Sequence, residues 1–133
     1  MPKKTNLPKL SEAQTEIMNV VWEHGEASVA RVMEELNTRR KVSRNTVQTM
    51  LSRLAKKGWL RHRQEGNTFF YEATVGKRET LSAMAENLID TAFSGSAEGL
   101  VMALLDGRGI STEERSRIQE MIKEAHANNS RKQ

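Results

Sequence analysis

The stretch whose reading decides the fold is Lys41–Leu60, KVSRNTVQTMLSRLAKKGWL. Ser43 places a short hydroxyl just ahead of a helix-compatible run, where an N-cap belongs. Val47, Met50, Leu51 and Leu54 follow at i, i+3, i+4 and i+7, one apolar stripe on a 3.6-residue period. At about 100° per residue, Asn45, Thr49, Ser52 and Lys56 point away from that stripe, with Gln48 and Arg53 at its flanks. Gly58 is a natural C′ residue, because it accepts positive φ where other residues resist it. The outward face thus mixes small hydrogen-bonding groups with cations, a combination suited to reading base edges while leaning on phosphates. An ordinary solvated basic face is the alternative, and the rest of the chain must decide.

Upstream, Ser11-Glu12-Ala13-Gln14 has the S-x-x-Q spacing of a capping box. It opens a helix with Ala13, Ile17, Val20 and Val21 on one face, closed by His24-Gly25. His24 reads as a partner for the helix dipole, since no second His or Cys is placed to share a metal. Ser28 caps a short second helix with Val29, Val32, Met33 and Leu36 inward. Asn37-Thr38-Arg39-Arg40 breaks the chain before Ser43. Three one-faced helices with a short break before the third predict a helix-turn-helix.

Downstream of Gly58 the period changes to two. Trp59–Arg63 and Thr68–Ala73 flank Gln64-Glu65-Gly66-Asn67, which reads as a β-hairpin. Its aromatic residues are expected to pack, because one hairpin is not stable unsupported. Residues 1–75 therefore form a winged helix-turn-helix, with Lys41–Leu60 as the recognition helix and the tip near Gly66 beside the sugar–phosphate backbone. The expected fold is mainly α, with a small β-hairpin wing.

Residues 76–133 show helical patterns only. Stripes run through Leu81, Met84, Ala85, Leu88, Ile89 and Ala92, and through Leu100, Val101, Leu104 and Leu105. A third runs through Ile118, Met121, Ile122 and Ala125 after a second capping box at Ser111. Three short helices rarely make a core of their own, so these faces are expected to meet the same faces of a second chain. Leu81, Met84, Leu88, Leu100, Val101, Leu104, Leu105, Ile118, Met121 and Ile122 are the candidate dimer contacts. The tail AHANNSRKQ is expected to fray.

Charge supports a polyanionic partner. Residues 1–75 hold 13 Lys and Arg against 8 Asp and Glu, while residues 76–133 hold 8 against 9. Leu36–Gln64 contains no acidic residue, yet carries nine cations. Nucleic acid is the favoured partner, an acidic protein surface the other. The chain has no cysteine, which excludes disulfides and thiolate metal sites. It has no apolar run near ~18 residues and no secretory h-region, so it is expected to be cytoplasmic and not membrane-inserted. There is no phosphate loop, dinucleotide loop, H-E-x-x-H or nucleophile elbow. No catalytic residue, cofactor or metal is expected.

With those residues in view, the chain resembles the penicillinase-repressor family (BlaI/MecI/CopY type). The resemblance rests on LPKLSEAQTEIMNVVWEHGEASVARVMEELN, on NTVQTMLSRLAKKGWL, and on the hairpin ending FFYEA. It implies a homodimeric repressor on an inverted-repeat DNA operator. It implies base contacts from Asn45, Thr46 and Thr49 and backbone support from Arg53. Ser28, Lys41, Arg44, Gln48, Lys56, Arg63 and Asn67 complete the candidate backbone contacts. Asn45 stands where antibiotic-responsive members often carry lysine. Copper-responsive members bind metal through C-terminal cysteines, a mode this chain lacks. Antibiotic-responsive members are inactivated by a sensor protease cutting an Asn-Phe bond, and here Ala103-Leu104 occupies the equivalent place.

Overall fold

The computed structural model describes residues 7–132. Residues 1–6 and 133, which the expected domains include, lie outside the described residues. The element order is α1 (Glu12–His24), β1 (Ala27–Ser28), α2 (Val29–Leu36), α3 (Arg44–Lys56), β2 (Leu60–Glu65), β3 (Thr68–Ala73), α4 (Lys77–Ala92), α5 (Ala97–Asp106) and α6 (Thr112–Lys132). The chain divides into two compact units, the first ending at Met84 and the second starting at Ala85.

Local chemistry sets the helix starts in the first unit. Ser11 Oγ accepts from the Gln14 N–H at 3.1 Å, and Gln14 Oε1 accepts from the Ser11 N–H at 2.8 Å, closing the expected capping box. Ser28 and Ser43 cap α2 and α3 by accepting from Arg31 and Thr46. At the far end of α3, the Trp59 N–H reaches the Leu54 carbonyl and the Gly58 N–H reaches Ala55. That pair of bonds is a Schellman ending, and Gly58 supplies its left-handed backbone at φ 98°. A Cβ at Gly58 would lie 2.9 Å from the Leu7 side chain, so space as well as φ favours glycine there.

The inward faces meet in one core. Ile17, Met18, Val20 and Val21 of α1 pack with Val29, Val32 and Leu36 of α2 and Val47, Leu51 and Leu54 of α3. Met33 and Met50, also expected inside, are half-buried at its margin. Trp59, Leu60 and Tyr71 close the core from the sheet side. Two indoles fasten the unit's approaches: Trp59 Nε1 donates to the Pro8 carbonyl and Trp22 Nε1 to the Val75 carbonyl.

The wing differs from the expected hairpin by one strand. Ala27 and Ser28 pair antiparallel with Tyr71 and Phe70, giving a three-stranded sheet in the order β1-β3-β2. In β2–β3, Leu60 pairs with Ala73 and Glu65 with Thr68, with Gly66 and Asn67 at the turn. Tyr71 is buried, Phe70 half-buried and Phe69 exposed, so packing claims the first two aromatic residues and leaves the third at the tip.

After the wing the three expected helices are present, α4 spanning the division between the units, and Ser111 caps α6 by accepting from the Glu114 N–H. The tail departs from expectation: α6 continues to Lys132. No Gly or Pro follows Thr112 to stop the helix, and its Ala, Glu, Lys and Arg residues are good helix formers. Among the described residues no single helix is long and apolar enough to cross a membrane.

Candidate nucleic-acid interface

Helix α3 presents the residues singled out by its periodicity. Val47, Leu51 and Leu54 are buried, which turns Arg44, Asn45, Thr46, Thr49, Ser52, Arg53 and Lys56 to solvent. Small hydrogen-bonding groups thus occupy the middle of the exposed face, with cations near both ends. Arg44, Asn45, Thr49, Arg53 and Lys56 have no side-chain hydrogen bond or ion pair with any described residue. The same is true of Lys41, just before the helix, and of Asn67 at the wing tip. These donors and charges are available to a ligand.

Other candidates are already engaged within the molecule. Thr46 Oγ1 accepts from the Ser43 hydroxyl at 2.9 Å and keeps its own proton to donate. The Ser28 hydroxyl is occupied as the α2 cap. Gln48 Nε2 donates to the Tyr71 hydroxyl at 3.3 Å and the Ser52 hydroxyl at 3.4 Å, tying α3 to the wing. Arg63 carries a bidentate ion pair: its Nε and Nη2 donate to Glu26 at 2.7 and 2.9 Å. Its guanidinium also lies 4.7 Å from the centre of the Phe70 ring.

These pairings revise the charge picture. The acid-free window is not acid-free in space, because carboxylates outside it fold back over four of its arginines. Glu16 of α1 holds Arg40 at 2.7 Å and Arg39 at 3.7 Å, Glu72 holds Arg61 at 3.0 Å, and Glu26 holds Arg63. The Arg40 guanidinium beside Glu16 and the Arg63 guanidinium beside Glu26 hold both carboxyls below the usual carboxylate range. Among the described residues, the window's uncompensated cations are Lys41, Arg44, Arg53, Lys56 and Lys57, all on or next to α3. Folding concentrates the positive potential on one helix.

Two concavities border that helix. One of about 840 Å³ is lined by Met33 and the connection from Asn37 to Ser43. The other, about 530 Å³, lies between the end of α3 and the wing and is lined by Ser52, Lys56, Arg61, His62 and Tyr71 among others. Both are open to solvent and neither is an enclosed cavity. The one group of described residues with spacing for a metal is Glu23, His24 and Glu35, on the surface between α1 and α2. There His24 meets Glu35 at 3.3 Å, an ordinary surface pairing at a helix end.

The candidate dimer contacts are of a different kind. Leu81, Met84, Leu88, Val101, Leu104, Leu105, Met121 and Ile122 are exposed, while Leu100 and Ile118 are half-buried. Met102, not expected there, is 56% exposed and extends the apolar run on α5.

The sequence profile of the penicillinase repressor family matches residues 10–124. The penicillinase repressor of Bacillus licheniformis is 30% identical over 118 residues, covering 89% of this chain and 92% of that protein. The methicillin resistance regulatory protein MecI of Mammaliicoccus sciuri is 25% identical, covering 86% and 93%. Among solved structures, the DNA binding domain of the repressor BlaI is 38% identical with a TM-score of 0.50, covering 56% of this chain and 90% of that one. A profile match that starts at the α1 cap and ends within α6 spans both units, so the chain as a whole belongs to the penicillinase repressor family.

Proposed function

We propose that this chain is a sequence-specific DNA-binding transcriptional repressor that occupies an inverted-repeat operator as a homodimer. The observation that carries the reading is the exposed face of α3, where Asn45 and Thr49 lie unpartnered among Arg44, Arg53 and Lys56. In the major groove, Asn45, Thr46 and Thr49 read base edges. Lys41, Arg44, Arg53, Lys56 and Asn67 hold the sugar–phosphate backbone, with Ser28 and Gln48 alongside. No catalytic role is proposed for any of them. Acting on DNA, the protein works in the cytoplasm.

Dimerisation follows from the apolar faces of α4, α5 and α6. One recognition helix covers too few base pairs to select a site, and two linked copies raise the effective concentration for the second half-site. Relief of repression by a sensor protease belongs to the same reading. Ala103-Leu104 lies within exposed α5, and a cut there would separate Val101 and Met102 from Leu104 and Leu105.

Footprinting on DNA upstream of the chain's own gene and its neighbours tests class and symmetry together, the expected result being a protected inverted repeat. On that site, Thr49→Ala should cost about 1–3 kcal/mol and much less on unrelated DNA. Arg53→Ala should weaken both alike and flatten the dependence of log K on log salt by roughly one unit. Equal losses from Thr49→Ala on both DNAs would remove Thr49 from base readout.

A further inference from the structure

The outer face of the wing sheet carries a row of charges whose layout assigns Arg63 a role other than phosphate contact. On this face the register sets Arg63 opposite Phe70 and Phe70 opposite Ser28, while Arg61 faces Glu72. Arg63 belongs to β2, an outer strand. Its close carboxylate partner Glu26, at 2.7 Å against 3.7 Å for Glu65 near the tip, immediately precedes β1, the other outer strand. The ion pair therefore crosses the whole width of the sheet, over the middle strand, with the guanidinium resting on the Phe70 ring. Both guanidinium edges used are fixed by a planar fork, which makes the contact directional in a way a single point charge cannot match.

Its position along the sheet matters as much. Strand β1 ends at the Ser28–Phe70 pair. Beyond it the wing continues on two strands alone, through Gln64–Phe69 and Glu65–Thr68 to the turn at Gly66 and Asn67. Two-stranded ribbons are marginal in water. The Glu26–Arg63 pair thus sits where the core-anchored, three-stranded part of the wing gives way to the free part.

We propose that Glu26 and Arg63 form a clasp that fixes the direction of the free wing, so that Arg63 is a positioning residue for the wing tip and not itself a phosphate ligand. The inference rests on the DNA-binding reading above. The two roles for Arg63 differ in sign. A phosphate-contacting Arg63 would be restrained by Glu26, so Glu26→Gln would release it and remove a negative charge near the DNA, tightening binding. A lysine would serve a phosphate nearly as well. A clasp is broken by either change. A glutamine in place of Glu26 has no charge to pair, and a lysine in place of Arg63 has no fork to pair with.

The test uses the full chain and its Glu26→Gln, Arg63→Lys and doubly substituted variants, titrated on operator DNA across a salt series. Backbone amide order parameters of residues 64–69 are measured in the free protein. Both single variants should weaken operator binding by roughly two- to fivefold, and the double variant should be no worse than either. The salt slopes should stay parallel to that of the unaltered protein, since no phosphate contact is lost. Order parameters of the free wing should fall in all three. Tighter binding by Glu26→Gln, unchanged binding by Arg63→Lys, or an unchanged wing would each overturn the clasp. If the double variant fails to fold, the single variants decide. If the protein binds no operator, the DNA reading fails while the order parameters still judge the clasp.

Discussion

The two units of this chain are both built on amphipathic helices and end in opposite conditions. In the first, three helices and a sheet turn their apolar residues toward one another, and Ile17, Met18, Val21, Val32, Val47, Leu51 and Leu54 are fully buried. In the second, no described residue is buried, and Met121 and Ile122 are 66% and 63% exposed. Amphipathicity alone therefore does not make a core. The first unit has a sheet to close over its helices, whereas α5 and α6 have apolar faces with nothing of comparable kind in their own unit. In the proposed homodimer a second copy covers them, at roughly 1.5–3 kcal/mol for each fully buried large apolar side chain.

That contrast can be broken in several places, the largest effect first. A fragment ending at Met84 should fold and remain monomeric in sedimentation, yet bind the full operator about 10²–10⁴-fold more weakly than the whole chain. A dimeric fragment with undiminished affinity would leave the C-terminal helices without their proposed task. Next, Leu51→Ala should lower stability by about 2–5 kcal/mol whatever the protein concentration, because it empties a closed core. The matching change Leu105→Ala should produce an effect that varies with concentration, as expected where association and stability are linked. Thermal melts of both variants over a hundredfold dilution series distinguish the two behaviours.

A smaller effect is expected at the end of α3. Gly58→Ala places a side chain at φ 98° against Leu7 and should cost about 1–3 kcal/mol in urea unfolding, with the midpoint shifted and the slope unchanged. The smallest is in acid. Glu16 and Glu26 have lowered pKa values because Arg40 and Arg63 bind their charged forms. Their stabilising contribution is therefore present above the ordinary carboxylate range near pH 4 and is lost as pH falls through the lower folded values. Melting midpoints of the first unit should decline in that window, and less steeply in Glu16→Gln and Glu26→Gln. An identical decline in the variants would separate these pairs from acid stability.

The sequence made legible whatever is decided within a few residues. Ser11, Ser28 and Ser43 announce helix starts through i to i+3 bonding, Gly58 announces an end, and Gly66-Asn67 announces a turn. The exposed face of α3 was legible for the same reason, since one period sorts inside from outside. Strand β1 was not: two residues carry no period, and Ala27 and Ser28 become a strand only by pairing with Tyr71 and Phe70 far along the chain. The neutralised arginines were hidden likewise. Glu16 and Glu26 lie before the acid-free window in sequence and beside it in space. Helix α6 is a different case: Asn128, Asn129 and Ser130 favour the expected fraying, yet with no Gly or Pro to break it the helix continues to Lys132.

The two indole hydrogen bonds have a consequence for observing this molecule. Trp22 and Trp59 are the chain's only tryptophans, Tyr71 is its only tyrosine, and all three belong to the first unit. Tryptophan emission therefore watches the winged unit alone, while far-ultraviolet dichroism registers the helices of both. Trp22 and Trp59 are also bonded to the carbonyls of Val75, just after β3, and Pro8, just before α1. Their spectra are native gauges of those two segments, needing no attached dye. If the emission and dichroism transitions separate on heating, the two halves melt as independent bodies.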